Sequence, residues 1–178
     1  PDPPEPGVTV SERGVPSSAE PVTIARLIDG DSFELTIEGD VVEVRLLGVN
    51  APELRTVNGA VSCPGKQARE VLAELVAGRA LRFEAAENDR FGRVLGRLWA
   101  DHTEVAPLLV ARGWALGLWA GERAAELRPA MEQAARSGLG MWGVDPCGPP
   151  GATIELGDVV VDPPGQDEDD LAGEWVEI

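Results

Sequence analysis

The 178-residue sequence has few of the residue types on which several kinds of functional site depend. It contains two cysteines, which do not form a Cys-x-x-Cys motif, one histidine and no tyrosine. Because zinc sites use clusters of cysteine and histidine, this composition does not support a zinc protein. The sequence also lacks an apolar run of the roughly 18 residues that a membrane-spanning helix requires, so we expect no membrane span. An apolar fraction of 43% still allows a packed core and excludes a wholly disordered chain.

Acidic residues are concentrated at the two ends of the chain. Residues 1–20 contain five prolines, and they predict a Pro-rich linker without the apolar run of a signal peptide. Because the sequence starts without methionine, we expect a mature or excised piece. Residues 149–178 carry nine acidic residues and no basic residue, which predicts an acidic tail. Residues 21–148 carry 18 acidic and 14 basic residues, so the net charge of −16 does not exclude a nucleic-acid partner for this domain.

Two features of the composition have alternative explanations. Arginine makes up all but one of the 15 basic residues, Lys66 being the exception. Arginine binds phosphate through two parallel hydrogen bonds, but a GC-rich genome gives the same bias. Cys63 and Cys147 either form a long-range disulfide in an exported protein or are two unrelated buried thiols, and their spacing does not decide between the two.

Alternating apolar residues and turn signals predict five strands and three helices. The strands are expected at Val22–Ile28, Asp31–Ile37, Val41–Val49, Leu81–Ala85 and Val94–Trp99. The helices are expected over Gly65–Ala77, from an N-cap at Thr103 to Arg112, and over Glu122–Ser137, where Pro129 indicates a kink or a late start. Five strands with a helix after the third are typical of an α+β fold with a five-stranded Greek-key barrel of the OB type. Such barrels commonly bind nucleic acid or sugar on their open face.

The acidic tail contains two further predicted strands, Ile154–Val161 and Glu174–Ile178. Two or three strands do not easily form an independent sheet. This segment is therefore either a flexible tail or the start of a second β domain that is cut short.

Three polar clusters lie at strand ends or in the adjoining loops. Each of them alone is typical of a turn or a solvated surface. Together they fit phosphodiester hydrolysis, which needs a base for the attacking water and positive charge at the phosphate oxygens, and which a hard cation assists. Glu53 is the candidate base, Arg45 and Arg93 are the candidate phosphate ligands, and Asp31 with Asn50 and nearby carbonyls is the candidate cation site. The clusters are Asp29-Gly30-Asp31, Arg45 with Asn50-Ala51-Pro52-Glu53, and Asp89-Arg90-Phe91-Gly92-Arg93.

Five runs of sequence carry a resemblance to one known family. They are Ile28-Asp-Gly-Asp-Ser-Phe33, Arg45-Leu-Leu-Gly-Val-Asn-Ala-Pro-Glu53, Asp89-Arg-Phe-Gly-Arg93, Ala111-Arg-Gly-Trp-Ala115 and Gly138-Leu-Gly-Met-Trp142. In this order and spacing they resemble the staphylococcal nuclease (thermonuclease) family over about residues 21–145. The resemblance implies a calcium-dependent endonuclease on an OB barrel. Such an enzyme cleaves DNA and RNA with little sequence preference, prefers single strands and leaves 3′-phosphates.

The resemblance also implies roles for single residues. Arg45 and Arg93 match the phosphate and transition-state arginines, Glu53 matches the base, and Asp31 matches a calcium ligand. Asn50 stands where the family has a second calcium-binding aspartate, and Ala51 stands where a ligand acts through its backbone carbonyl, so we expect activity with a raised calcium requirement. The substrate-binding candidates are Asp89, Arg90, Phe91 and Trp119. The two aromatic residues replace the family's tyrosines as stacking surfaces, with packing as the alternative role for each.

An alternative function and several properties of the whole protein also follow. The alternative is a catalytically weakened nucleic-acid-binding OB module, which the neutral Asn50 favours. The family context favours export, to a secreted or cell-envelope location, and with it a disulfide between Cys63 and Cys147. Residues 154–178 resemble the opening strands of a lamin-tail domain, an immunoglobulin-like sandwich. We expect a monomer.

Overall fold

The computed structural model describes residues 14–37, 39–118 and 122–147, together with the backbone of two short strands between residues 159 and 176. The chain divides into two compact units, and the division lies between Pro146 and Cys147. Within the described residues, no helix is long and apolar enough to cross a membrane.

The first unit alternates strands and helices in the predicted order. Its strands are β1 (Glu20–Pro21), β2 (Thr23–Leu27), β3 (Ser32–Ile37), β4 (Asp40–Leu46), β5 (Val49–Asn50), β6 (Leu81–Asn88), β7 (Val94–Ala100), β8 (Thr103–Glu104) and β9 (Leu116–Gly117). Its helices are α1 (Cys63–Val76), α2 (Val105–Ala111) and α3 (Glu122–Arg136), followed by a 3₁₀ turn at Gly140–Trp142. The long strands β2, β3, β4, β6 and β7 correspond to the five predicted ones.

The main sheet closes into a barrel. Strands β2, β3 and β4 form an antiparallel meander, β4 pairs in parallel with β7, and β7 pairs antiparallel with β6. The other edge of β6 pairs with β1. Only Val22 separates β1 from β2, and its backbone N–H donates to the Leu81 carbonyl at 3.1 Å, so the first segment joins both edges of the sheet. This confirms the predicted α+β fold with an OB-type barrel.

The core lies inside the barrel and under α1 and α2. Successive side chains of a strand point to opposite faces. In the inner parts of β3 and β4, the apolar inward residues are fully buried, while Glu34, Glu43 and Arg45 between them are not. Helix α1 covers one end of the barrel with apolar residues at helical spacing. Burying each large apolar side chain stabilises the fold by roughly 1.5–3 kcal/mol. The fully buried residues of these elements are Phe33, Leu35, Val44, Leu46, Ala68, Leu72 and Leu75.

The third predicted strand is shorter than expected. The prediction runs from Val41 to Val49, whereas β4 ends at Leu46 and pairing resumes in β5 with β9 as the partner. Gly48 has a φ of +79°, a left-handed conformation that interrupts a strand and that glycine adopts most easily. This turn carries the chain from the barrel wall to β5, and so to Asn50.

Two helices start at other residues than predicted, while α3 starts at the predicted Glu122. Helix α1 begins at Cys63, two residues before the predicted Gly65. Thr103 does not cap α2, because it pairs with β7 in β8 and the N-cap is Glu104. Helix α3 begins at Glu122 and continues through Pro129, so the late start is wrong. A proline removes one helical hydrogen bond, here to the carbonyl of Ala125, and Ala125 is exposed so that water can satisfy that group.

The remaining features concern the two ends of the chain and its cysteines. Ala19 is fully buried and precedes β1, so the described structure starts before residue 21. In the second unit, Val159–Val160 pairs antiparallel with Trp175–Val176. These pairs lie within the two predicted C-terminal strands, whose other residues are outside the described part, and the lamin-tail resemblance stays a prediction. Cys63 and Cys147 are both disulfide-bonded.

Candidate active site

The turn between β2 and β3 fixes the position of one buried carboxylate. Asp29 and Asp31 are 6% and 1% exposed. One oxygen of Asp29, Oδ1, accepts hydrogen bonds from the backbone N–H groups of Asp31 at 2.9 Å and Ser32 at 2.7 Å. This arrangement is an aspartate-stabilised turn, in which the side chain satisfies backbone donors that the sheet leaves unpaired. Asp29 therefore organises the turn, and Asp31 is the carboxylate that the turn presents.

The Asp31 carboxylate is surrounded by donors but only partly compensated. Its Oδ1 accepts from the Ser32 hydroxyl at 2.9 Å, and its Oδ2 accepts from the Ala51 backbone N–H at 2.6 Å. The Arg45 guanidinium lies 3.1 Å from Oδ2. Burial raises the pKa of Asp31 to about 6, and Arg45 only partly opposes this effect. A buried carboxylate with this surplus cost of ionisation is a group that a bound cation would stabilise.

Arg45 connects the turn to the Asn50 loop. The pairing of β3 with β4 places Arg45 directly opposite Ser32. Its NH2 group, which contacts Asp31, also donates to the side-chain oxygen of Asn50 at 2.5 Å. The structure thus brings together Asp31, Arg45, Asn50 and Ala51, four residues that the sequence assigns to one site.

The loop that carries Arg93 is built around Asp89. Asp89 Oδ1 accepts from the backbone N–H groups of Phe91 at 2.8 Å and Arg93 at 2.9 Å. Its Oδ2 accepts from Arg93 Nε at 2.8 Å. Burial tends to raise the pKa of Asp89, but these hydrogen bonds hold it below its usual value. The loop itself engages this carboxylate, which holds the Arg93 side chain. The assignment of Asp89 as a substrate-binding residue stays a prediction.

The barrel places Arg93 on the same side as Arg45. In the parallel pairing of β4 with β7, Arg45 is opposite Leu95, and Arg93 comes two positions before Leu95. Arg93 comes directly before β7, and continuing the alternation of that strand by one residue puts it on the Arg45 side of the sheet. Burial lowers the pKa of Arg93, but Asp89 and, less strongly, Glu43 and Asp31 raise it above its ordinary value, so the Asp31 carboxylate lies within electrostatic reach of Arg93. Beside it, the Phe91 ring is 70% exposed, with the guanidinium carbons of Arg90 and Arg93 at 4.7 and 5.6 Å from its centroid. An exposed ring between two arginines is suited to stacking and phosphate contacts.

Helix α1 holds the Glu53 loop and the Asp29–Asp31 turn close together. A Cβ atom on Gly65 would collide with the Glu53 carbonyl. A Cβ on Gly30 would lie 2.6 Å from Cβ of Ala68, which is also in α1, and 2.8 Å from Cβ of Ala51. Three segments thus meet at backbone distance, and only glycine fits at these two positions.

Glu53 itself faces an open cleft. Its side chain is exposed and forms no hydrogen bond or ion pair within the described residues. The cleft has a volume of about 470 Å³, and Asp29 also lines it. A carboxylate with free oxygens beside the Asp31 turn is placed to accept a proton from water.

Three arginines in this cleft were not identified from the sequence. Arg26, Arg55 and Arg69 line it together with Glu53. They come from β2, the Glu53 loop and α1, so no local motif contains them. Of the three, only Arg69 could have been identified from the sequence. It follows Ala68 and lies one turn before Leu72, which places it at the margin of the apolar face of α1.

The oxygen donors at Asp31 fit a hard cation, although the set is small. Asp31, the Asn50 amide and the Ala51 carbonyl offer one carboxylate and two neutral oxygens. Among the described residues, no group of three Asp, Glu, His or Cys side chains is placed to hold a metal ion. The uncompensated burial of Asp31 supports a cation here, whereas the low ligand charge predicts weak binding.

Trp119 lies outside the described residues. The chain reaches it from β9, where Leu116 is opposite Asn50, and through Leu118, whose N–H donates to the Gly48 carbonyl at 2.9 Å. Its assignment as a substrate-binding residue stays a prediction.

Comparison with known proteins agrees with this geometry. The family model described as staphylococcal nuclease homologue matches residues 43–144, which include Arg45, Asn50, Glu53 and Arg93. The chain belongs to this family. The part of the chain that matches the staphylococcal nuclease family begins within β4 and ends just after the 3₁₀ turn.

Several curated relatives share this part of the chain. Protein ParB of Escherichia coli is 35% identical over 78 residues, which are 44% of this chain and 41% of ParB. The SPbeta prophage-derived endonuclease YokF of Bacillus subtilis is 34% identical over 97 residues, 53% of this chain and 33% of YokF. A micrococcal nuclease of Shigella flexneri is 28% identical over 130 residues, 67% of this chain and 71% of the relative. The chain thus spans less than half the length of the first two relatives.

Proposed function

We propose that this protein is a calcium-dependent, sequence-nonspecific endonuclease that hydrolyses phosphodiester bonds in DNA and RNA. The observation that carries the proposal is the placement of Arg45 and Arg93 on one side of the barrel, with the buried Asp31 and the unengaged Glu53 in the adjoining turns. The names of the relatives, two of which are an endonuclease and a micrococcal nuclease, support the same chemistry. We further propose single strands as the preferred substrate, because stacking on Phe91 and Trp119 requires unpaired bases.

In this proposal, each residue of the site has a separate task. Arg45 and Arg93 bind the scissile phosphate and stabilise the negative charge that develops on its oxygens. Glu53 takes a proton from the water whose oxygen bonds to phosphorus. The P–O5′ bond then breaks and the leaving 5′-oxygen takes a proton from solvent water, so the products carry a 3′-phosphate and a 5′-hydroxyl. Asp89 positions Arg93.

Asp31, the Asn50 side chain and the Ala51 carbonyl would hold the calcium ion. When it is bound, the ion supplies positive charge next to the phosphate. Because Asn50 contributes no negative charge, we expect the ion to bind more weakly than it would at a pair of carboxylates.

One specific observation favours a second candidate, a nucleic-acid-binding OB module without catalysis. Arg45 already bridges Asp31 and Asn50 at 3.1 and 2.5 Å, so it provides part of the charge that a cation would supply. Such a module would bind single strands through the same arginines and leave them intact.

The test is cleavage of single-stranded DNA, duplex DNA and RNA with millimolar calcium and with EDTA, followed by analysis of the product ends. The proposal expects calcium-dependent cleavage that leaves 3′-phosphates, fastest on single strands. Cleavage that persists in EDTA, or products with 5′-phosphates, would contradict it. Binding without cleavage at any calcium concentration would favour the binding module.

The organisation and location of the protein are also proposals. Because Ala19 is buried and Glu20 pairs with β6, the predicted linker over residues 1–20 must end before Ala19. We propose a linker ahead of that point, a nuclease domain that continues to residue 148 and an acidic tail over 149–178. The disulfide-bonded cysteines support an exported protein, in a secreted or cell-envelope location, because such bonds persist in oxidising compartments. A monomer suffices for this chemistry.

A further inference from the structure

Arg69 is a half-buried arginine whose guanidinium has no direct partner in the described part of the chain. Within the described residues it forms no hydrogen bond and no ion pair. The other half-buried arginines of these residues each have a carboxylate or carbonyl partner: Arg45, Arg82, Arg93, Arg97, Arg112 and Arg123. Partly burying a guanidinium without a partner costs free energy, so an anion that reached Arg69 would be bound favourably.

The cleft that Arg69 lines contains a second arginine with free donors. Arg55 is exposed and donates through NH1 to the Gly59 carbonyl at 2.8 Å, which leaves its other N–H groups available. The third arginine, Arg26, is different, because Glu34 neutralises it through two hydrogen bonds at 3.1 and 2.5 Å. The cleft therefore offers two guanidinium groups, Arg55 and Arg69, to a ligand.

The carboxylates of the cleft limit which anion can bind there. Glu53 is exposed and Asp29 is buried with one oxygen engaged by the turn, so the charges of the cleft nearly balance. A free anion would gain little from such a field. A phosphate that is covalently tied to a chain already held at Arg45 and Arg93 would enter with a high effective concentration.

We propose that Arg69, together with Arg55, binds a second phosphate of the polynucleotide, next to the scissile one, in the cleft beside Glu53. The inference rests on the proposed nuclease function, since it is the substrate bound at Arg45 and Arg93 that continues past Glu53 into this cleft. Arg69 then determines where the flanking nucleotide lies and favours chains over dinucleotides. It takes no part in the proton transfer.

The experiment compares binding and cleavage by wild type, Arg69→Gln, Arg55→Gln and the control Arg79→Gln. Arg79 is exposed, follows the same helix and does not line the cleft. Binding of a fluorescent single strand of about ten nucleotides is measured by anisotropy in EDTA at several salt concentrations, and each lost phosphate contact should lower the slope of log Kd against log salt by about 0.7. Cleavage with calcium is measured on the same strand and on a dinucleotide with one phosphodiester bond.

The expected result is a several-fold weaker binding and a lower salt slope for Arg69→Gln, with a smaller effect for Arg55→Gln and none for Arg79→Gln. In cleavage, KM should rise for the long strand while kcat and the dinucleotide reaction stay unchanged. Arg69→Lys should recover much of the binding, which a merely structural role would not require.

Two results would overturn the inference. One is an unchanged salt slope in Arg69→Gln. The other is an equal loss on the dinucleotide and the long strand, which would mean that Arg69 acts through Glu53. A wild type that binds single strands without cleaving them would contradict the nuclease proposal alone. The salt slopes measured on it would still decide the role of Arg69. A wild type that does not bind single strands would overturn both.

Discussion

At the scale of single residues, the main feature of the candidate site is the burial of the Asp31 carboxylate in the barrel. Asp31 is almost completely buried, and its pKa of about 6 means that ionisation is costly in the folded protein. Residues that are buried only to stabilise a fold are apolar as a rule, so an ionisable residue at this buried position is unusual. This cost of ionisation is what the proposed function predicts for a carboxylate that holds a cation, because a bound cation would offset it.

Replacing this carboxylate should stabilise the protein at neutral pH. The folded-state pKa of Asp31 lies above its ordinary value of 3.8, so the native state binds more protons than the unfolded state between about pH 4 and 6. The free energy of unfolding of wild type therefore falls as the pH rises through this window. Asp31→Asn removes this fall, because asparagine does not ionise. In EDTA at pH 7 we expect Asp31→Asn to be more stable by on the order of 1–3 kcal/mol.

Urea unfolding from pH 4 to 8 measures this effect, with the exposed Asp40→Asn as the control. The stability difference between Asp31→Asn and wild type should grow up to about pH 6 and then stay constant. A difference that is independent of pH, or a less stable Asp31→Asn at pH 7, would show that the burial of Asp31 is compensated.

The neutral side chain at position 50 should set the calcium requirement. Asn50→Asp adds a second carboxylate beside Asp31, and ligand charge strengthens calcium binding. The calcium concentration for half-maximal cleavage should fall several-fold, and calorimetry should show tighter calcium binding. The control is Asn58→Asp, which adds the same charge at an exposed loop position. Equal calcium dependence in Asn50→Asp and wild type would contradict this account of Asn50.

At the scale of helices and strands, local sequence patterns predicted the long elements, whose formation depends on residues close together in the sequence. The meander, the fourth and fifth long strands and the three helices follow from alternation, turn residues and helical spacing. The elements that were missed have two residues each. Strands β1, β5 and β9 form by pairing with a strand that is distant in sequence, whereas β8 pairs with β7 across a tight turn. The residues of the site differ in the same way. Sequence motifs contain Asp31, Arg45, Glu53 and Arg93, whereas the packing of α1 brings Arg69 to the cleft.

The attachment of α3 depends on a largely buried ion pair. Arg123 in α3 contacts Glu104 at the start of α2, and their side chains are 11% and 13% exposed. Glu104→Gln leaves the Arg123 charge with Glu126 as its remaining partner, so we expect a loss of about 2 kcal/mol in the free energy of unfolding.

The matched control for this pair is Glu132→Gln, which removes an exposed ion pair of the same helix. Its partner Arg136 is 69% exposed, and such pairs contribute about 0–1 kcal/mol. Denaturant unfolding of both variants measures the difference. Equal losses in Glu104→Gln and Glu132→Gln would mean that the buried pair does not hold α3.

At the scale of the whole molecule, charge is separated along the chain. Residues 21–148 are close to neutral for their number, whereas residues 149–178 carry nine acidic residues without a base. Such a segment repels a polyanion and competes with it for arginines. No structural contact is needed for this effect, because it depends on charge and ionic strength.

Deleting residues 149–178 should therefore tighten the binding of single-stranded DNA at low salt. Because salt screens charges over about 10 Å at 0.1 M, the difference from the full chain should shrink as salt increases. Anisotropy measurements in EDTA on both chains test this. Equal affinities at low salt would show that the tail does not influence binding.

The proposed function depends above all on Glu53 acting as the base of a calcium-dependent nuclease. The most direct test is the rate of single-stranded DNA cleavage by wild type and Glu53→Gln, with calcium and with EDTA, alongside the binding affinity of both. The account predicts calcium-dependent cleavage by wild type and a loss of at least about a hundred-fold in Glu53→Gln, with binding retained. Cleavage by Glu53→Gln at the wild-type rate would contradict it.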